Sequence, residues 1–371
     1  MQAIRFIDKE RSEFYSTVRD RVEEYFATQK ISKNANGLMY FKTFLFLGGT
    51  VGFYAAIISG NFSLSVMFLF AVLLGMFKAF IGFNICHDAI HGSYSSNEKV
   101  NQALGLVFNM IGANASVWRV THNIVHHMFT NIPGHDEDIE VAPGLIRLSP
   151  LEPYKPVMRY QHIYAFPLYG LASLSWVFRK DFMKFFKKRI GHYDNSKHTF
   201  AEYFNLFFFK AFYYVVFIVL PLVLLEITWW QFLIGFISMH IAEGLVLGLV
   251  FQLAHVVENT DFPLPNEEGN VEEAWAVHQM RTTADFARES FLANFFCGGL
   301  NFQIEHHLFP KICHVHYYEL SKIVERTAKE FGVPYNDNKT FWDAMKSHYK
   351  MLKIFGQKDY TFSNSAQPVV A

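Results

Sequence analysis

Cysteine is scarce in this chain, with Cys86, Cys297 and Cys313 alone among 371 residues. Three scattered thiols exclude a disulfide framework and a cysteine-based zinc site, and they fit a reducing, cytosol-facing setting. Net charge is missing too: 33 basic residues balance 33 acidic ones, so the overall balance points to neither nucleic acid nor an acidic partner. The amino terminus, MQAIRFIDKERSEFYSTVRDRVEEYF, has no apolar core followed by small residues, so no cleavable signal peptide is expected. There is no HExxH and no glycine-rich phosphate loop, which removes the usual anchors of zinc proteolysis and nucleotide chemistry. The Glu-x-x-His pairs of a soluble di-iron bundle are also missing. HDEDIE at 135–140 lacks the spacing of a calcium loop, and no repeat or low-complexity segment interrupts the chain.

What the chain has in abundance is apolar surface: 51% hydrophobic residues, 18% aromatic, 41 phenylalanines. Four stretches, near 41–60, 62–84, 203–228 and 229–254, are long enough to cross about 30 Å of hydrocarbon as helices. The first pair turns at Gly60-Asn61 and the second at 226–229, without lysine or arginine in either turn. Basic residues concentrate in the amino-terminal arm, the middle segment with RKDFMKFFKKR at 179–189, and the tail, which places both termini and the middle segment in the cytoplasm. The expected fold is an all-α integral membrane protein, with four transmembrane helices in two hairpins and a cytoplasmic helical cap. Residues 1–40 form an amphipathic cytoplasmic arm, 41–362 the main domain, and 363–371 a flexible tail. Lys78 and Lys210 are expected to snorkel to the headgroups, and the shorter apolar runs 103–118 and 163–178 to lie in the interface or pack under the cap.

Among 17 histidines, chance supplies about one HxxxH and one HH pair, but an HxxxHH triple only about 0.04 times. This chain carries HDAIH at 87–91, HNIVHH at 122–127 and QIEHH at 303–307. His87 follows the inner end of the second span and His255 that of the fourth, at one depth. His87 and His91 share a helix face, as do His122 and His126. His127 lies about 100° around the same helix and cannot reach the same ion together with His306 and His307. Two metals solve that geometry: His87, His91, His122, His126, His127, His255, His306 and His307 give each ion about four ligands, and imidazole suits iron, zinc and copper. Asp88, Asp136, Asp138, Glu258 and Glu305 are candidates to accept the imidazoles' other N–H. His278 is ambiguous, and the remaining histidines, His314 and His240 among them, read as surface, interface or packing residues.

At these three boxes, and on through HHLFPKICHVHYYELSKIV, the sequence resembles the membrane fatty-acid desaturase family; QIEHH in place of a histidine-led third box is similar to its front-end branch. The resemblance implies an iron-dependent oxidase that removes two hydrogens from adjacent methylenes of a long acyl chain, carried on coenzyme A or a lipid, using dioxygen and two external electrons. It makes the eight histidines ligands of two iron ions (Fe2+) and Gln303 a polar group near them or a weak ligand. Many front-end relatives carry a fused cytochrome domain with a His-Pro-Gly-Gly signature, which the first forty residues lack. A separate donor such as a ferredoxin or small cytochrome, docking near 184–189, and a bacterial inner membrane are therefore expected. Hydroxylation or ketolation at the same di-iron site is the nearest alternative. A non-catalytic membrane metal-binding or transport protein is a further one, but histidines gathered at one face fit a transport path poorly.

Overall fold

The structure, a computed structural model, describes residues 4–9, 12–149, 151–362 and 368–370. The chain is mostly helical, and four helices are long and apolar enough to cross a membrane: Gly37–Ile58, Leu64–His91, Phe200–Leu224 and Trp229–His255. Their starts are written locally. Asn36 accepts the Met39 N–H at the first, while Thr199 with Glu202 and Thr228 with Gln231 form capping boxes at the third and fourth, satisfying amide donors that a helix start leaves free. The second helix runs past the expected end near 84 and stops at Gly92, whose φ of 77° takes the left-handed cap that glycine accepts without cost. His87 and His91 therefore belong to the helix itself rather than following it.

The fourth long helix is the hub. Gly75 of the second packs so closely that a Cβ there would lie 2.0 Å from the Met239 carbonyl oxygen, and Gly244 and Gly248 admit Gly170 and Tyr169 on another side. Small residues let helix backbones approach where lipid offers no hydrophobic drive. The run 163–178 thus packs along the fourth span from Gly248 to Phe236; the run 103–118 divides into the helix Glu98–Met110 and the start of a helical segment at 115–129.

Lys78 and Lys210 do not snorkel. Lys78 is fully buried, donating to Glu243 at 2.8 Å and to the Tyr213 hydroxyl at 3.1 Å. Lys210 donates to Asp181 and the Gly112 carbonyl, both at 2.7 Å. Interior partners win because a short reach to a carboxylate replaces the longer reach to water.

The amino-terminal arm is docked. Phe14, Val18, Val22 and Phe26, spaced by four on the helix Phe14–Gln29, are buried against Leu320, Val324 and Ala328 of Tyr317–Phe331 and share a core with Ile304 and Leu308. Each such side chain contributes about 1.5–3 kcal/mol. Short strand pairs supplement the helices: Arg5–Phe6 beside Asn270–Val271 and Asp285–Phe286 beside Asp337–Asn338 are parallel, and Arg189–Ile190 with Tyr193–Asp194 is antiparallel. Of the tail expected at 363–371, residues 363–367 and 371 lie outside the described residues, and Pro368–Val370 pairs with Tyr360–Phe362. The basic run at 179–189 is partly neutralised, since Lys184 and Lys187 both turn to Glu137.

Candidate metal centre

Three helical segments and the end of the fourth long helix bring the eight histidines together. In the second helix a π-helical turn, Gly82–Cys86, bonds the His87 N–H to the Gly82 carbonyl; such turns recur at functional sites. His87 and His91 then lie one turn apart, with ring centroids 4.8 Å apart. In the 115–129 segment His122 and His126 stack at 5.0 Å. His127 departs from the expected 100° offset. Arg119–His126 is π-helical, so the His127 N–H reaches the His122 carbonyl five residues back, and the two rings meet with Nε2 atoms 3.3 Å apart. An i to i+5 repeat stacks the positions that an α-helix would splay.

The adjacent pair in Gln303–Leu308 divides its labour. The His306 and His307 rings stand 87° apart. His306 faces His87 at 4.4 Å and His91 at 4.9 Å, and His307 faces His126 at 5.0 Å and His255 at 5.2 Å. Ligand atoms fall within 4.8 Å of one another in one group of His87, His91, His122 and His306 and another of His126, His255 and His307; His127 groups with both His306 and His307, against the expectation that these three cannot meet at one ion. Gln303 occupies the side of the second group, its Nε2 2.8 Å from His255 Nε2 and 3.2 Å from His307 Nε2.

Chemistry as well as spacing suits metal ions. Burial first, and then the neighbouring imidazoles, hold His122, His127, His306 and His307 well below the usual histidine range, so they stay neutral with lone pairs available. His126 is raised: burial disfavours its charge, but Asp136 outweighs that. Both nitrogens of His87, Nε2 of His91, His126 and His306, and Nδ1 of His127 and His255 are buried without a hydrogen-bond partner among the described residues. Each orphan costs about 1–3 kcal/mol, and imidazole nitrogens converging in this way suit divalent transition-metal ions.

The backing groups only partly follow the expected set. Asp138 Oδ2 lies 2.8 Å from His122 Nδ1 and Asp136 Oδ2 2.8 Å from His126 Nδ1, which turns each Nε2 inward. His307 Nδ1 instead meets the amide oxygen of Gln279 at 2.7 Å, a residue beside His278 that carries no local pattern to mark it. His278 itself is buried against Phe6, 3.4 Å from Glu273. Glu305 and Glu258 do not back imidazoles. Glu305 accepts from Tyr335 and shares a buried site with Asp285; Glu258 pairs with Lys350 at the surface. Asp88 meets His314 Nδ1 at 2.8 Å, so His314 has a buried carboxylate partner and is more than the packing residue expected from its sequence context. His240, deep in the fourth span, bonds Ser173 and Tyr213 and stands apart from the eight. An apolar cavity walled by Phe108, Trp118, Trp176, Leu247 and Phe251 opens beside His87 and His122, with Trp118 stacked on His122 at 4.2 Å.

The chain is similar to known proteins over most of its length. The family described as "Fatty acid desaturase" matches residues 63–339. An acyl-lipid (8-3)-desaturase of Physcomitrium patens is 38% identical over 359 residues, covering 96% of this chain and 74% of the relative. The sn-1 linoleoyl-lipid 6-desaturases of Arthrospira platensis and Synechocystis sp. are 35% and 34% identical, covering 92% and 93% of this chain and 92% and 96% of theirs.

Proposed function

We propose, from the premise that this chain belongs to the fatty acid desaturase family of membrane oxidoreductases, that it introduces a double bond into a long acyl chain carried on a lipid. The reaction takes two hydrogens from adjacent methylenes, and with dioxygen, two electrons from a redox partner such as a ferredoxin or small cytochrome, and two protons it yields the alkene and two waters. Relatives named for acyl-lipid substrates favour the lipid carrier over coenzyme A. The observation that carries the reading is the convergence of buried, unpartnered imidazole nitrogens in two groups.

His87, His91, His122 and His306 would hold one iron and His126, His255 and His307 the other, with His127 between them and Gln303 beside the second. Bound there, iron supplies the activation of dioxygen that an unactivated methylene C–H bond demands and that no side-chain acid or base provides. The protein's own part is positional. Asp136 and Asp138 fix the imidazole tautomers, Phe108, Trp118, Trp176 and Leu247 exclude water, and the cavity they wall holds one pair of carbons beside the histidines. The four spans form two hairpins with both termini and the histidine-bearing cap in the cytoplasm of a bacterial inner membrane, in keeping with the basic arm and middle segment; residues 41–362 make up the desaturase domain.

The test is a fatty-acid methyl ester profile, with double bonds located by mass spectrometry, from cells expressing the wild type or His306→Ala and supplied with varied fatty acids. A new unsaturated chain made only by the wild type is the expected result. A hydroxylated chain would keep the metal reading and overturn the reaction.

A further inference from the structure

Lys42 lies in the second turn of the first long helix, where an ammonium is expensive unless it is paired. It is 1% exposed, its Nζ 2.8 Å from His314 Nε2. His314 Nδ1 lies 2.8 Å from Asp88 Oδ2, and the same oxygen receives the Cys313 thiol at 3.0 Å and the His314 backbone N–H at 3.3 Å. The result is a buried Lys-His-Asp chain built from the first span, the second span and the loop after the third box. Gly299, with φ of 77°, leaves room for it: a Cβ there would stand 2.4 Å from His314 Cβ. Asp88, Cys313 and His314 also group as a metal trio, but both ring nitrogens of His314 are taken, one by Lys42 and one by Asp88.

Beside this chain sits an imidazole with neither nitrogen hydrogen-bonded among the described residues. His122 and His126 each have a carboxylate oxygen at 2.8 Å. His87 has neither nitrogen partnered, and the other oxygen of Asp88 stands 3.8 Å from its Nδ1. We propose that Lys42 and His314 are positioning residues for His87, holding Asp88 as the carboxylate beside a metal-binding imidazole, at 3.8 Å from its Nδ1 where Asp138 stands 2.8 Å from His122. The role rests on the metal reading above. It makes the first span, which contributes no histidine to the site, part of the centre's support, and it accounts for a lysine buried in that span.

The experiment measures Fe2+ and Co2+ uptake by purified protein, as metal per chain and titrated affinity, alongside unfolding of the metal-free form, in wild type, Lys42→Met, Lys42→Met/Asp88→Asn, His314→Gln and Lys42→Arg. Removing both charges spares the fold an unpaired buried carboxylate, so the double variant separates support of the fold from support of His87. The expected result is a metal-free double variant that unfolds like wild type yet binds metal at one of the two sites roughly 10- to 100-fold more weakly, a similar loss in His314→Gln, and recovery in Lys42→Arg. If the double variant and His314→Gln load metal as tightly as wild type, the positioning role is overturned and the metal reading stands. A wild type that takes up neither metal overturns both.

Discussion

Two polar islands are each anchored on the second and fourth long helices. Halfway along them, Lys78, Glu243, Tyr213, His240 and Ser173 bond to one another. At their ends, His87, His91 and His255 join the other boxes with nitrogens left unpartnered. Both islands are buried in apolar surroundings, where an unsatisfied polar atom is costly. The first is complete in itself, so it reads as a device that locks helices together. The second leaves converging imidazole nitrogens without a protein partner among the described residues, an arrangement that could hold a metal ion. Incompleteness, rather than polarity or burial, distinguishes the site.

The sharpest way to break this contrast is to remove one imidazole from each histidine group. His122→Ala and His307→Ala should each reduce desaturated product to background, measured in the methyl ester profile, while the metal-free protein unfolds close to wild type. Loss of only one variant's activity would mean that the two groups do not act together.

Next in size is the complete island. Glu243→Ala leaves the Lys78 ammonium buried and unpaired and should cost about 3–5 kcal/mol, whereas Lys78→Met/Glu243→Leu should come back near neutral. Denaturant unfolding in detergent checks both, with metal per chain unchanged in the double variant. A double variant that folds but loses metal would join the two islands functionally.

A smaller effect is expected behind the imidazoles. Asp136→Asn keeps the shape at His126 but weakens the acceptor, lowering metal affinity by about 10- to 100-fold, readable by Co2+ titration.

The smallest effect belongs to Glu140, on the loop that carries Asp136 and Asp138. Burial first, then Glu152 and Glu137, push its carboxyl up to about 7. A raised acid stabilises the fold below its unfolded value of about 4.3, and that stability is lost as pH rises through about 7. Glu140→Gln should therefore gain roughly 1 kcal/mol over wild type at pH 8 and nothing at pH 4, allowing for its partial exposure. Parallel pH dependence of the two unfolding curves would remove the assignment.

The three boxes and the long apolar runs were legible because both are local patterns. Glu305 was read as a backing group because it adjoins the third box, but it turns toward Asp285 and Tyr335. Gln279 and His314 were passed over because their partners lie 28 and 226 residues away. Lys78 and Lys210 looked like snorkelling residues because Glu243 and Asp181 are distant in sequence.

By itself, then, the sequence determined that this is an apolar helical chain with eight histidines at one end of its spans, since hydropathy and i, i+4 spacing act within a few residues. Only the tertiary structure decided which of those histidines meet, that a π-helical turn sets His127 over His122, and which acids stand behind them. Those choices follow from backbone turns and contacts between segments hundreds of residues apart, where buried groups take the nearest partner the packing presents.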